Sequence, residues 1–352
     1  MRASGRGRII RRDVKPLSKA LILLLFAAVG TATPAIALDR SARPVLRTPH
    51  FAFYSDVRVN THDALVAAAR ARLLRQAAPF SAAEQSCLEH LPAAAREGWT
   101  RAVDDYATAT PTATQRFYTA TIAAGMLRPD SVTDPADRQF LKPWSVFLSE
   151  AVPAYQQCRW PAQDALNRAW IDHVKTLLAT YENTLGERLP ALFGTPWASL
   201  PIRVDVLNGA LVPTGANTAG VGDPPAGHIL VSSTNPSNQG LAALEVVFHE
   251  ASHLLSQPGS PLSAALQKAT AGTGATMPPD IVHEVHFFMT GETVRRTFAE
   301  RGVTYTPLLF SLKLFTDRFR DVISGAWSPQ VDGTRTVEEA AGDLVRVMNA
   351  SQ

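Results

Sequence analysis

Leu244-Glu245-Val246-Val247-Phe248-His249-Glu250-Ala251-Ser252-His253 is the stretch on which the reading of this 352-residue chain turns. His249 and His253 are four apart, so a helix places both imidazoles on one face. Val246, Val247, Leu254 and Leu255 flank them, as expected of a buried helix, here over residues 241–255. Buried imidazoles need partners, because an unsatisfied polar group in a core costs about 1–3 kcal/mol. A zinc ion supplies one: two neutral histidines at this spacing reach a single ion at ~2.0–2.1 Å. Glu250, one position on, leaves the ligand direction and stands where a general base beside the metal is needed. The alternative is a chance motif whose histidines are satisfied by protein groups.

Upstream of this helix the texture is that of a small sheet. Ile202-Arg203-Val204-Asp205-Val206-Leu207 alternates and is β-branched, which reads as a strand. Residues 208–227, rich in Gly, Pro, Asn and Thr, read as a loop, and 228–233 as a second strand. Downstream, 257–277 reads as another loop. A helix follows from Pro278 to Arg301, closed by Gly302, and the tail from Tyr305 holds one or two more helices. Residues 61–189 are mostly helical in pattern, with helices expected at 63–76, 82–91, 112–124, 143–155 and 162–185. The expected fold class is therefore α+β and mostly helical: a helical region over 38–200, then a catalytic region over 201–352 with a small sheet and the HExxH helix, the two able to form one globular unit.

The HExxH segment resembles the active-site helix of zincin metallopeptidases. It is closer still to a poorly characterised exported bacterial branch with "FHEASH" followed later by a helix ending in "TGE". The resemblance covers about 201–301, with a faint echo at Asn60-Thr61-His62. It implies a zincin-like catalytic region and a zinc cofactor. It also implies a peptide substrate added alongside the strand at 228–233, which takes the place of the zincin edge strand.

No glycine and third histidine follow His253 closely, so the metzincin pattern is absent and the third ligand must come from further along. The resemblance to gluzincins points to Glu292, within Thr290-Gly291-Glu292. His283 is the rival, and Glu284 and His286 are further candidates. His283 and Glu292 lie nine apart, about 180° around an ideal helix, so an unbroken helix cannot aim both at one ion. Without the metal, Glu292 would simply pair with Arg296 at i,i+4. Tyr305, by position, and Asn60 and His62, by the echo, are candidates to stabilise a developing oxyanion.

The first residues follow a different rule. Seven basic residues, the apolar run 20–30 and Pro34-Ala35-Ile36-Ala37 have the layout of a secretory signal peptide over 1–37. The apolar run is shorter than the ~20 residues a membrane span needs, so no stable span is expected after cleavage. Removing the leader takes away seven basic residues and Asp13, leaving 34 − 7 = 27 basic and 31 − 1 = 30 acidic residues, a net charge of −3. That balance gives no electrostatic case for nucleic-acid binding. In an oxidising compartment Cys87 and Cys158 either form one disulfide or remain two buried thiols. The expected activity is metal-assisted hydrolysis of an amide bond in a peptide or other amide substrate, outside the cytoplasm. The alternative is a zinc-stabilised or inactive envelope binding protein. The sequence does not indicate an oligomeric state.

Overall fold

The strand expected at Ile202–Leu207 forms with those bounds and is the middle of a five-stranded sheet. The computed structural model describes residues 43–77, 80–109, 135–209, 216–221, 226–271, 273, 278 and 280–350. The expected leader and the helix expected at 112–124 lie outside them. The sheet order is β1 (Leu46–Arg47), β2 (Phe51–Tyr54), β3 (Ile202–Leu207), β5 (Ala226–Ser232) and β4 (Ala216–Val221). The central β2, β3 and β5 are parallel, while β1 and β4 run antiparallel on the two sides.

Register sorts the two faces. Phe53, Val204 and Ile229 are opposite one another and fully buried in the main core. One position back, Ala52, Arg203 and His228 share the other face. There Asp205, fully buried, accepts hydrogen bonds from Arg203 at 2.6 and 2.9 Å and meets His228 Nε2 at 2.6 Å. The Arg203 guanidinium lies 3.8 Å from the centre of the Tyr54 ring. Burial favours the neutral acid at Asp205, but the charge of Arg203 and the His228 hydrogen bond outweigh it, and the carboxyl is pulled down to about 2.

Helices cover the sheet. α1 (Val57–Leu73), α3 (Ala93–Ala109) and α4 (Pro135–Cys158) build a second core in which Trp99, Ala102, Val103 and Tyr106 are buried at helical spacing. α2 (Ala82–Glu89) starts on a Ser81/Glu84 capping box. Cys87 and Cys158 are joined, tying α2 to the end of α4. The bridge closes a loop with a sequence separation of 71, so the Cys87→Ser, Cys158→Ser pair is expected to lose about 4 kcal/mol in a urea melt.

α5 (Trp160–Phe193) carries Pro161 in its first turn and is capped by Gly194, which is left-handed at φ 63°. The expected stop at Gly186 is not one. That glycine is interior, and a Cβ there would fall 2.3 Å from the His50 ring, so its role is close packing. After β5 come α6 (Ala242–Ser252), α7 (Pro261–Thr270) and α8 (Ile281–Ala299), then α9 (Leu308–Ser311), α10 (Asp317–Val331) and α11 (Val337–Asn349).

The two stretches expected as loops both carry regular structure. Residues 208–227 contain β4, and 257–277 contain α7, whose Ser260 cap and Pro261 are ordinary helix starters. β1 and β2 also show that the region before residue 200 supplies part of the sheet. The described residues, from 43 to 350, all belong to one compact unit. No helix among the described residues is long and apolar enough to cross a membrane.

Candidate metal centre

β5 and a short turn deliver the chain into α6, every residue of which from Ala243 to Ser252 is buried. His249 and Glu250 are 4% and 6% exposed. Glu245, one turn before His249, anchors the helix. Its carboxylate accepts from the Tyr305 hydroxyl at 2.5 Å and from the Leu308 amide at 3.0 Å. Burial still pushes Glu245 up to about 7 against those hydrogen bonds. Tyr305 is thus committed to Glu245 rather than offered to a substrate oxyanion. Gly291 on α8 makes room for the same carboxylate: a Cβ there would meet Glu245 Oε1 at 2.8 Å and Pro307 at 3.0 Å. Gly291→Ala is expected to lose about 1–3 kcal/mol by overpacking, read as a lowered urea midpoint with an unchanged slope.

α8 packs across α6 and brings two more histidines to the HExxH pair. The ring centres of His249 and His253 are 4.9 Å apart. His283 lies 5.5 Å from His249 and 5.1 Å from His253. His286 is nearer, at 4.6 and 4.2 Å, and ring nitrogens of His249, His253 and His286 fall within 4.8 Å of one another.

Nitrogen spacing therefore favours His286 as third ligand, whereas ring placement favours His283. Three imidazoles bound head-on to one tetrahedral ion have ring centres about 5.2 Å apart, given ~2.05 Å metal–nitrogen bonds. The His249–His253–His283 triangle fits that value and the His286 triangle is too tight. Hydrogen bonding separates the two further. His286 Nδ1 meets Ser256 Oγ at 2.7 Å, and its Nε2 meets Ser252 Oγ and the His249 carbonyl, both at 3.0 Å. Both its nitrogens are in use bracing α8 against the end of α6. His283 is only partly covered by the protein and takes no protein hydrogen bond, and buried His249 Nδ1 has no partner either. Ring placement and hydrogen bonding thus make His283, rather than His286, the candidate for a third position.

All four imidazoles are neutral at physiological pH. Burial lowers His249 well below the ordinary value, and the neighbouring His286, His253 and His283 add to it. Burial and His283 bring His253 down to about 3. Burial also lowers His283, against the opposing charge of Asp280. Neutral imidazole is the form a metal ion binds.

Glu292 is not brought to this cluster. Its carboxylate accepts from Arg295 at 2.7 and 2.6 Å and from Arg296 at 2.7 Å. Burial opposes its charge, but these hydrogen bonds hold the carboxyl below its usual range. The physical reason is helical phase: nine residues from His283, Glu292 points away from the face that meets α6. Glu284 is also buried, with Oε2 unpartnered, and burial together with Asp280 raises it to about 7. Asn60 and His62 serve elsewhere. Asn60 donates to the carbonyl of Val206 and bonds with Asn167, and His62 Nδ1 meets the Tyr106 hydroxyl at 2.8 Å.

Glu250 has a partner that the sequence did not suggest. Thr218 on β4 donates to Glu250 Oε2 at 2.6 Å and lies 2.8 Å from the Glu250 carbonyl. Register places Thr218 opposite Ile229, on the face that α6 covers. Burial pushes Glu250 up to about 7, and the Thr218 hydrogen bond works against that rise. Among the described strands the one at the sheet's edge beside α6 is β4, because β5 is paired on both sides. The expectation that 228–233 supplies the edge is corrected on that ground.

No family model matches the chain, and neither a curated protein nor a solved structure is significantly similar to it.

Proposed function

We propose that this protein is an exported zinc hydrolase of the zincin type that cleaves an amide bond in a peptide or other amide substrate. The observation that carries the reading is the convergence of His249, His253 and His283, all neutral, on the helix that also carries Glu250. The donor set fits zinc: three imidazoles form a catalytic set with one position left open, and the buried His249 Nδ1 has no competing partner. A zinc ion held there would polarise a carbonyl and make a water acidic.

The chain's own residues do the rest. Glu250 accepts a proton from the attacking water and delivers it to the leaving nitrogen. Thr218 fixes the carboxylate so that one oxygen stays aimed. His286, through Ser252 and Ser256, locks the end of α6 against α8 and so fixes where His253 and His283 stand. An extended peptide has a place to bind: among the described strands β4 is at the edge of the sheet, and its Thr218 contacts Glu250. The leader expected over 1–37 carries the export reading.

One observation favours a second reading. His286 sits close enough that, with Ser252 and Ser256 released, it could join His283 as a fourth ligand. A four-histidine site has no open position and would make this a zinc-stabilised binding protein.

Residues 38–352 loaded with zinc should cleave a mixed quenched-fluorescence peptide library or denatured casein. A chelator should stop the cleavage and added zinc restore it. A loaded site with no cleavage would reject the hydrolase and leave the binding protein. Thr218→Val is expected to lower turnover about tenfold with zinc content unchanged; unchanged turnover would remove Thr218 from the mechanism.

A further inference from the structure

A cavity lies at the carboxyl ends of β3 and β5. Set between these strand ends, α1, α2 and the start of α5, it has a volume of about 830 Å³ and shares no lining residue with the histidine cluster. Small-molecule sites span roughly 300–1,000 Å³. Open sheets with parallel strands commonly bind ligands at this end, where the loops leaving neighbouring strands diverge.

Asp63 of α1 lines the cavity, is 4% exposed, and has an oxygen, Oδ1, that meets no donor. On the same wall the side-chain nitrogen of Asn208 is buried without an acceptor. More than 90% of buried polar groups in proteins are satisfied. An orphan acceptor and an orphan donor on one wall therefore ask for a molecule carrying both functions. Gly209 presses the backbone onto this acid, and a Cβ there would fall 1.4 Å from Asp63 Oδ2.

Charge narrows the class. Arg159, also on the wall, is already matched: its Nε lies 2.9 Å from Glu84 Oε1, and its guanidinium sits 4.1 Å from the centre of the Phe80 ring. Asp63 is the acid on this wall without an ion pair. Burial raises its carboxyl to about 7, against the lowering charge of Arg159. Ala64, Ala67, Ala162 and Leu166 make much of the remaining wall aliphatic.

We infer that this cavity binds a small aliphatic amine, whose ammonium donates to Asp63 while a hydroxyl or carbonyl on the same molecule accepts from Asn208. The disulfide bears on the site, since Cys158 lines it and ties α4 to α2, which carries Glu84. No bond is made or broken in this step. The ammonium replaces the missing counter-charge and the second polar group satisfies Asn208.

The test uses the whole mature chain and three probes of equal length: 4-aminobutan-1-ol, butane-1,4-diol and 4-hydroxybutyrate, followed by titration NMR. The amine should bind saturably, the diol about tenfold more weakly, and the carboxylate not at all. Asp63→Asn should weaken the amine about tenfold, and His253→Ala should leave it unchanged. Leu166 is 50% exposed, so Leu166→Trp can fill the cavity with little risk to the fold and should abolish binding. Equal binding of amine and diol, absence of amine binding, or amine binding that survives Leu166→Trp would overturn the inference.

Discussion

Asp205→Ala is expected to lower folding stability by about 3–5 kcal/mol, read from a urea or thermal melt. The acid is completely buried between Arg203 and His228, and its removal leaves a guanidinium in the sheet without its closest partner. Asp56 lies 3.4 Å from Arg203 and compensates only in part. The pH dependence has a definite sign. The folded carboxyl is held at about 2, below its unfolded value. The stabilisation from Asp205 is therefore fully present above the unfolded value of ~3.9 and is lost as pH falls towards 2. Wild type and Asp205→Ala should converge in stability across that window. A gap that stays constant down to pH 2 would show that the loss comes from packing rather than charge.

The second large effect concerns turnover. Glu250→Gln keeps the shape of the side chain and removes its capacity to take a proton. On zinc-loaded protein it should lower kcat by about 10²–10⁴-fold, with zinc content unchanged and KM little moved. The neutral amide can still accept from Thr218, so the fold around it should stand. Full turnover in this variant would exclude Glu250 as the base. Loss of zinc together with activity would instead give Glu250 a part in holding the site.

Much of this arrangement can be read along the chain, and the failures have local causes. The HExxH helix declares itself because its period, apolar flanks and paired histidines agree with one another. β3 and β5 declare themselves through alternation and β-branching. β4 does not, because Ala216-Asn217-Thr218-Ala219-Gly220-Val221 has weak strand propensity and becomes a strand through pairing with β5. With β4 hidden, Thr218 could not be associated with Glu250. α7 stood in plain view as a Ser-Pro helix start but lay behind Pro258-Gly259, which reads as a breaker. α3 was not among the expected helices, although Trp99, Val103 and Tyr106, buried at helical spacing, carried its signal.

The third ligand shows where sequence reasoning stops. Residue type, through the gluzincin likeness, pointed to Glu292. Helical phase already allowed only one of His283 and Glu292 to face α6, but nothing along the chain says which face of α8 turns inward. The contacts of Gly291 with Glu245, and of His286 with Ser252 and Ser256, decide it. The two arginines that take up Glu292 are its own helical neighbours: Arg296 makes the i,i+4 pairing expected of that residue when no metal is involved, and Arg295 adds one at i,i+3.

Zinc content of purified residues 38–352, measured beside His253→Ala, His283→Ala, His286→Ala and Glu292→Ala, tests the central claim most directly. The account predicts one zinc per chain in the parent protein, retained in Glu292→Ala and lost in His253→Ala and His283→Ala. It predicts that His286→Ala binds zinc more weakly, by about 10–100-fold, as expected of a residue that braces ligands rather than acting as one. No zinc in the parent chain after reconstitution, or full occupancy in His283→Ala, would contradict it.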